Sequence, residues 1–328
     1  MKTTILSELR NREGYVSGQE LCDRLGVSRT AVWKVIRQLK EEGYVIEAQT
    51  NKGYRLLSGP DTLEAYEVAG RLHTRWAGHE IHTSQKTGST NADAKALAES
   101  GSPHGTLVLT EVQTNGRGRR GHVWQSMEGT AISMSMICRP EFPPEKASML
   151  TLVMGLAVSD AICSMTGLDA MIKWPNDIVI QNRKVAGILT EMSAEPDYIQ
   201  YVIIGAGINV NTEQADFPEE IKETAGSLKS VSGRSFSRAQ LIEEILRYFE
   251  KYYEIFDRTL DLSGMMGHYN ERLVSREKQV KILNPKTTFE GISTGIDQEG
   301  NLLVKKTDGN IAKVSTGEVS VRGLLGYL

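Results

Sequence analysis

Residues 29–42 place Val32, Val35, Ile36 and Leu39 at i, i+3, i+4 and i+7, with Thr30, Trp33, Lys34 and Arg37 on the opposite side. That spacing predicts a helix with one buried face. Ser28 is positioned to cap it and Gly43 to stop it. Two shorter helices precede it: residues 4–11, and a segment opened by Ser17, whose spacing to Glu20 is that of a capping box, ending near Gly26. Residues 44–49 and 54–57 flank the turn Asn51-Lys52-Gly53 and predict a β-hairpin. Ser58-Gly59-Pro60 reads as a linker. Beyond it the period alternates between helix and strand: helix over 62–72, strand over 80–87, helix over 92–99, and strands over 105–114 and 130–138. An apolar helix over 145–165 follows, then a tight hairpin of 178–180 and 185–192. Next come an apolar strand over 201–204 and an amphipathic helix over 238–256. From Lys278 the pattern becomes short strands with turns at Asp297-Gln298-Glu299-Gly300 and Thr307-Asp308-Gly309-Asn310. The expected fold is α+β and multidomain, divided as 1–58, 62–272 and 277–328, with a mixed sheet in the middle and a small all-β unit last.

Composition adds limits. The 328 residues can fill several cores, and 40% apolar content is that of an ordinary globular chain. A net charge of −3 argues against nucleic-acid binding by the chain as a whole, but residues 1–58 hold 10 Lys and Arg against 7 Asp and Glu. Any DNA contact therefore belongs to the first segment. Cys22, Cys138 and Cys163 lack metal-ligand spacing and cannot all pair, which favours a reducing compartment. Met1-Lys2-Thr3-Thr4 opens no signal peptide, and the uncharged stretch 147–159 is too short to span a bilayer, so the expectation is a cytoplasmic protein with no membrane partner.

Candidate chemistry centres on Gly116-Arg117-Gly118-Arg119-Arg120-Gly121, followed by Trp124. Arginine forks suit phosphate and carboxylate oxygens, and glycine lets backbone N–H groups approach an anion. The three glycines spell G-x-G-x-x-G, but no amphipathic helix opens after them and the acidic residue at the right distance, Glu141, lies among prolines, so a dinucleotide fold is excluded. No G-K-[ST] follows any glycine. A solvated basic loop or an RNA-clinging segment is the plain alternative, and a single block between two apolar strands favours a site loop instead. Further polar clusters are Ser89-Thr90-Asn91 at a helix start, Lys173-Trp174-Pro175-Asn176-Asp177, and the small-residue run Gly205-Ala206-Gly207-Ile208-Asn209. Each admits a small polar ligand close to the backbone.

The first 58 residues, with their short Leu25-Gly26-Val27-Ser28 turn and trailing hairpin, resemble a winged helix-turn-helix. That resemblance implies that Ser28, Arg29 and Thr30 lie nearest base edges, with Trp33, Lys34, Arg37, Lys52 and Arg55 on the same DNA-facing side. The polar clusters, together with Lys184-Val185-Ala186-Gly187-Ile188-Leu189 and Gly317-Glu318-Val319-Ser320-Val321-Arg322, resemble across nearly the whole chain the biotin protein ligases that double as biotin operon repressors. His122 departs from the Arg or Lys of that pattern.

The resemblance implies a class II synthetase-like catalytic domain, a C-terminal SH3-like barrel, and biotin, ATP and Mg2+ as ligands. It also implies synthesis of biotinyl-5′-adenylate and transfer of biotin to a lysine of a carboxylase carrier domain, such as that of acetyl-CoA carboxylase. Lys184, Arg117 and Arg119 are implied as catalytic, with Arg120 and Lys173 as further cations and Asp177 as a magnesium ligand. Ser89, Thr90, Asn91 and Gln113 are implied around the ring of biotin, with Trp124 as cover. Gly116, Gly118, Asn176, Gly187, Gly205, Ala206, Asn209 and Arg322 complete the expected site. The implied partners are operator DNA and a second copy of the chain, the homodimer being favoured by the adenylate. A lipoate–protein ligase and a metabolite-sensing repressor without catalysis remain as alternatives.

Overall fold

The computed structural model describes residues 1–283, 288–316 and 320–323, and the chain divides into two units, Met1–His73 and Thr74–Leu328. The first unit contains α1 (Lys2–Arg10), α2 (Gly18–Leu25), α3 (Arg29–Glu41), β1 (Val45–Gln49), β2 (Gly53–Ser58) and α4 (Ala65–Ala69). Ser17 and Ser28 accept the N–H groups of Glu20 and Ala31, as their capping positions require. Gly26 takes φ +63°, the left-handed conformation that ends α2 and sets the turn into α3. Ile5, Leu21, Val32, Ile36, Leu39 and Ile46 close one small core, leaving the polar side of α3 exposed. The helix expected over 62–72 is only α4. Residues 61–64 stay extended with Leu63 buried, and Gly70 ends the helix. Within α4, Glu67 is buried and receives hydrogen bonds from Arg10, Arg71 and Tyr44. These bonds fix α4 to α1 and to the entry of the hairpin.

The second unit begins with β3 (Ile81–Thr87), α5 (Thr90–Glu99), β4 (Leu107–Gln113), β5 (Ala131–Cys138) and α6 (Leu150–Thr166). It continues with β6 (Met171–Lys173), β7 (Asp177–Ile180), β8 (Arg183–Ala194), β9 (Ile199–Asn209), α7 (Leu228–Ser232), α8 (Arg238–Thr259) and α9 (Met266–Arg272). Its sheet has the order β3-β4-β5-β9-β8-β7-β6, with β3 and β4 parallel and the other neighbours antiparallel. The sheet is therefore mixed, as expected. α5 crosses from β3 to β4 and packs Ala94 and Ala98 against Val108, Ile137, Tyr201 and Ile203. α6 lies against β8 at Ile188, whose side chain alternates to the other face of the sheet. The helical run Pro144–Thr166, counting a 3₁₀ turn before α6, is 23 residues long and apolar enough to cross a membrane, and its most apolar 18-residue window is 78% buried in the protein. It is the core helix. α8 is tied to the sheet by Arg238, 1% exposed, which donates to Glu111 Oε2 at 2.5 Å and to the Ala131 carbonyl at 3.1 Å. Removing one partner of such a buried pair costs about 3–5 kcal/mol.

The chain then forms β10 (Lys278–Leu283), β11 (Phe289–Ile296), β12 (Leu302–Lys305), β13 (Ile311–Val314) and β14 (Ser320–Gly323), an antiparallel sheet of order β13-β12-β11-β10-β14. Trp174 Nε1 donates to the Gly300 carbonyl at 3.1 Å, and Asn270 accepts the Ile296 N–H at 2.8 Å, so this sheet is fastened to the rest of its unit.

Candidate active site

Register decides which side chains meet. Ser135, Gly205 and Leu189 are aligned across β5, β9 and β8, as are Ser133, Gly207 and Gly187, so these positions share the sheet face that carries α5. Lys184 joins that face through an irregularity. Ile178 pairs with Ala186 but Val179 pairs with Lys184, leaving Val185 as the extra residue of a bulge. Simple alternation would turn Lys184 away from Gly187. The bulge restores it to the side of Asp177 and Gly187. Its ammonium then lies 2.7 Å from Asp177 Oδ1 and 5.8 Å from the centre of the Trp124 ring.

A cavity of about 600 Å³ opens on this face, and every residue expected around biotin and ATP lines it except Gly116 and Arg322. Gly116 acts from behind: its carbonyl accepts the Trp124 N–H at 2.9 Å, and a Cβ at 116 would lie 2.4 Å from the Trp124 carbonyl. Arg322 stands opposite Lys281 in the β10–β14 ladder, but its side chain, like Gly317, Glu318 and Val319, is outside the described residues.

The arginine loop folds back on itself. Arg117 bridges Val123, Gly118 N–H donates to the His122 carbonyl at 2.7 Å, and Arg120 adopts φ +57°. Arg117 and Arg120 are exposed at the mouth, whereas Arg119 is half-buried. Arg119 donates to Asn176 Oδ1 at 3.2 Å and to the Thr316 carbonyl at 2.6 Å. Burial, reinforced by the Arg120 charge and opposed by Asp177, lowers its pKa from the usual guanidinium value. Asn176 is held in turn by Ile188, donating to its carbonyl at 3.1 Å. Trp174-Pro175, on the same turn, is a cis peptide bond.

The inner end is polar. Gln113 Oε1 accepts the Thr90 N–H at 2.8 Å and lies 3.1 Å from the Thr90 hydroxyl. Ser135 Oγ lies 2.8 Å from Thr90 Oγ1 and 2.6 Å from Asn91 Oδ1, and Asn91 Nδ2 donates to Glu191 Oε2 at 2.6 Å. Asn209 donates to the Gly226 carbonyl at 3.1 Å, so it braces the cavity wall. Gly205 and Gly207 are required by close approach: a Cβ would fall 2.1 Å from Asn91 Oδ1 and 2.3 Å from the Trp124 ring respectively. Trp124 Nε1 is buried without a hydrogen-bond partner among the described residues.

Ser135 and Glu191 were not expected here, because both sit in strands whose sequence reads as apolar packing. Neither was the wall formed by Phe217, Pro218, Ile221 and Thr224, which the Lys184 N–H reaches by donating to the Thr224 carbonyl at 2.7 Å. The only hint in the sequence is the proline and small-residue content of that stretch. Cys163 is half-buried on α6, away from the cavity, and burial raises its thiol pKa, so it is a packing residue.

Comparison with known proteins agrees with this arrangement. The bifunctional ligase/repressor BirA of Bacillus spizizenii is 41% identical over 98% of this chain and 100% of its own length. The chain belongs to the bifunctional biotin ligase and repressor family. The Escherichia coli BirA is 30% identical, covering 97% of the chain and 96% of its own length. Family models match three stretches: an HTH domain over residues 2–55, the Biotin/lipoate A/B protein ligase family over 81–209, and the Biotin protein ligase C terminal domain over 277–322. Among solved structures, the Aquifex aeolicus biotin protein ligase in complex with biotin and ATP superposes with a TM-score of 0.65 at 29% identity, covering 75% of this chain and 99% of that one.

The residues expected to face DNA are all exposed, and two of them are also engaged within the HTH domain. Thr30, Lys34, Lys52 and Arg55 are exposed, and Trp33 is 51% exposed beneath the Arg37 guanidinium. Ser28, however, directs its hydroxyl oxygen to the Ala31 N–H, and Arg29 donates to Gln19 at 2.9 Å. Both therefore hold the start of α3.

Proposed function

We propose that the chain joins biotin to ATP as biotinyl-5′-adenylate in this cavity and passes the biotinyl group to a carrier lysine, with the adenylate serving as corepressor on biotin operator DNA. The observation that carries the reading is the bulge that brings Lys184 onto the same face as the arginine loop and the Thr90–Gln113 pocket. A carboxylate attacking the α-phosphorus brings anion towards anion. Lys184 is placed to hold both groups, while Arg117, Arg119, Arg120 and Lys173 supply further positive charge. Pyrophosphate leaves as the acyl phosphate forms. The carrier amine then attacks the acyl carbon and AMP departs, so no protein nucleophile is required.

Among the described residues no three His, Cys, Asp or Glu side chains gather to hold a metal. Asp177, already paired with Lys184, suits a supporting ligand for a magnesium ion carried chiefly by phosphate oxygens. Such an ion would neutralise the leaving pyrophosphate. The Trp124 indole N–H offers a donor to the bound adenylate, and the ring shields the acyl phosphate from water.

The carrier domain of acetyl-CoA carboxylase and similar carboxylases are the proposed acceptors. Adenylate-favoured homodimerisation places two HTH domains on one operator, and the cytoplasm is the proposed location. The decisive experiment supplies biotin, ATP and magnesium, and measures pyrophosphate release together with the mass of a carrier domain. Release and a biotinyl mass increase are expected. Lipoylation in place of biotinylation, or ligand binding without pyrophosphate, would overturn the reading. Sedimentation with and without adenylate tests the dimer, and an unchanged monomer would refute it.

A further inference from the structure

We propose that Glu250 is a positioning residue for operator binding: by holding residues 75–77 on α8 it shortens the connection between the two units to Leu72-His73, and so keeps each HTH domain on a short tether. The proposal rests on the reading that two joined copies bring two HTH domains to one operator, and deepens it.

Ser58-Gly59-Pro60, the linker expected from sequence, is not the connection. Gly59 lies so close to the Tyr44 ring that a Cβ would fall 2.8 Å from it, and α4 follows within the first unit. α4 is itself fixed. Arg10 Nη2 donates to both oxygens of Glu67 at 2.6 Å, and Arg71 Nε donates to Glu67 Oε1 at 3.0 Å. Glu67 is 1% exposed. The chain is thus committed to the first unit as far as Arg71.

A second buried carboxylate takes it up on the other side. Glu250 of α8 accepts three consecutive backbone N–H groups, from Arg75 at 2.9 Å, Trp76 at 2.9 Å and Ala77 at 3.2 Å. A carboxylate only accepts, which suits a run of donors. Thr74 Oγ1 donates to the Ala77 carbonyl at 2.6 Å, the Trp76 ring packs against Phe249 and Tyr253, and the Gly78 N–H donates to the Gly105 carbonyl at 2.8 Å. Between the two carboxylates, Leu72 and His73 make no backbone hydrogen bond among the described residues. Such a pair reaches at most about 7 Å.

Tether length matters because the second HTH domain binds intramolecularly once the first is on DNA, at an effective concentration that falls roughly as the −3/2 power of that length. Without Glu250 the chain is released to Arg75 if Trp76 stays packed, and to Ala77 if it does not. A tether of about four to six residues in place of about two lowers the effective concentration by about three- to five-fold. Glu250 touches neither DNA nor the cavity; it acts through the chain it holds.

The test uses the full-length protein with biotinyl-5′-adenylate, a duplex selected from a random pool by the unmodified protein, and the same duplex cut to one half-site. Glu250→Ala is expected to weaken binding of the full duplex by about three- to five-fold, with half-site binding, pyrophosphate release and dimerisation unchanged. A second variant, with about ten Gly and Ser residues inserted between Leu72 and His73, should lose about fifteen-fold on the full duplex. Adding Glu250→Ala to it should cost less than about two-fold more, since a long tether is little lengthened. The insertion keeps every contact of Glu250, so it decides the matter if Glu250→Ala does not fold. Full-duplex affinity that is unchanged or higher in either variant, equal losses on half-site and full duplex, or losses that multiply in the combined protein would overturn the proposal. Failure of the unmodified protein to hold any duplex with adenylate present would instead overturn the operator-binding reading on which it rests.

Discussion

At the scale of single residues, charge placement governs the predictions. Lys184→Gln removes the cation opposite Asp177 and leaves that carboxylate inside an active site built for anions. Adenylate formation should fall by about 10²–10³, the range for removing one preorganised charge or donor at a reacting centre. Single-turnover pyrophosphate release measures it, and a loss below ten-fold would remove Lys184 from the chemistry. His104 makes a pH prediction. Its ring packs at a tilt against Trp76, 4.3 Å between centroids, and against Tyr253, 5.2 Å, and burial lowers its pKa from 6.5. Its Nδ1 accepts the Arg139 N–H at 3.0 Å, which requires the neutral ring. A depressed folded pKa means that the contribution is complete above pH 6.5 and is lost as pH falls through the folded value. Urea midpoints taken between about pH 7 and 5 should decline more for the unmodified protein than for His104→Phe. Parallel declines would show that other groups control the acid limb.

At the scale of elements, the arginine loop joins three parts of one unit. Arg119→Ala removes bonds to Asn176 and Thr316 but leaves the loop's backbone closure between Gly116 and Trp124. Dissociation of preformed adenylate should speed up by about 10–100-fold, as loss of one or two charge-assisted hydrogen bonds would give. Tm should move by no more than about 2 °C, less than the shift from 1 kcal/mol. A large Tm loss with unaltered retention would make Arg119 structural only. The loop was readable in advance because three glycines among three arginines between two strands have few structural uses. The placement of Lys184 was not, because it depends on the unpaired Val185, and one bulged residue leaves no mark on an apolar period. Likewise Asn91 and Glu191 are each ordinary in sequence, and only the fold brings the start of α5 within a hydrogen bond of β8. The helix expected over 62–72 shows the reverse limit, local propensity yielding to the burial of Leu63.

At the scale of the whole molecule, net positive charge lies in the HTH segment while the remainder is net acidic, so attraction to DNA phosphates acts through the HTH domain. Operator affinity should fall steeply with salt, and Lys34→Ala should weaken all sequences alike while lowering the log–log salt slope by about one. Titrations at several salt concentrations would check this, and an unchanged slope would take Lys34 off the phosphates. Ligase turnover should not respond to that substitution. The mooring of Arg119 to the Thr316 carbonyl has one more consequence. A ribosome that has delivered the sheet, the lysine and the glycine-rich hexapeptide has still not delivered the oxygen that anchors the half-buried guanidinium. The half-buried guanidinium thus gains its anchor only from a residue 197 positions further along the chain.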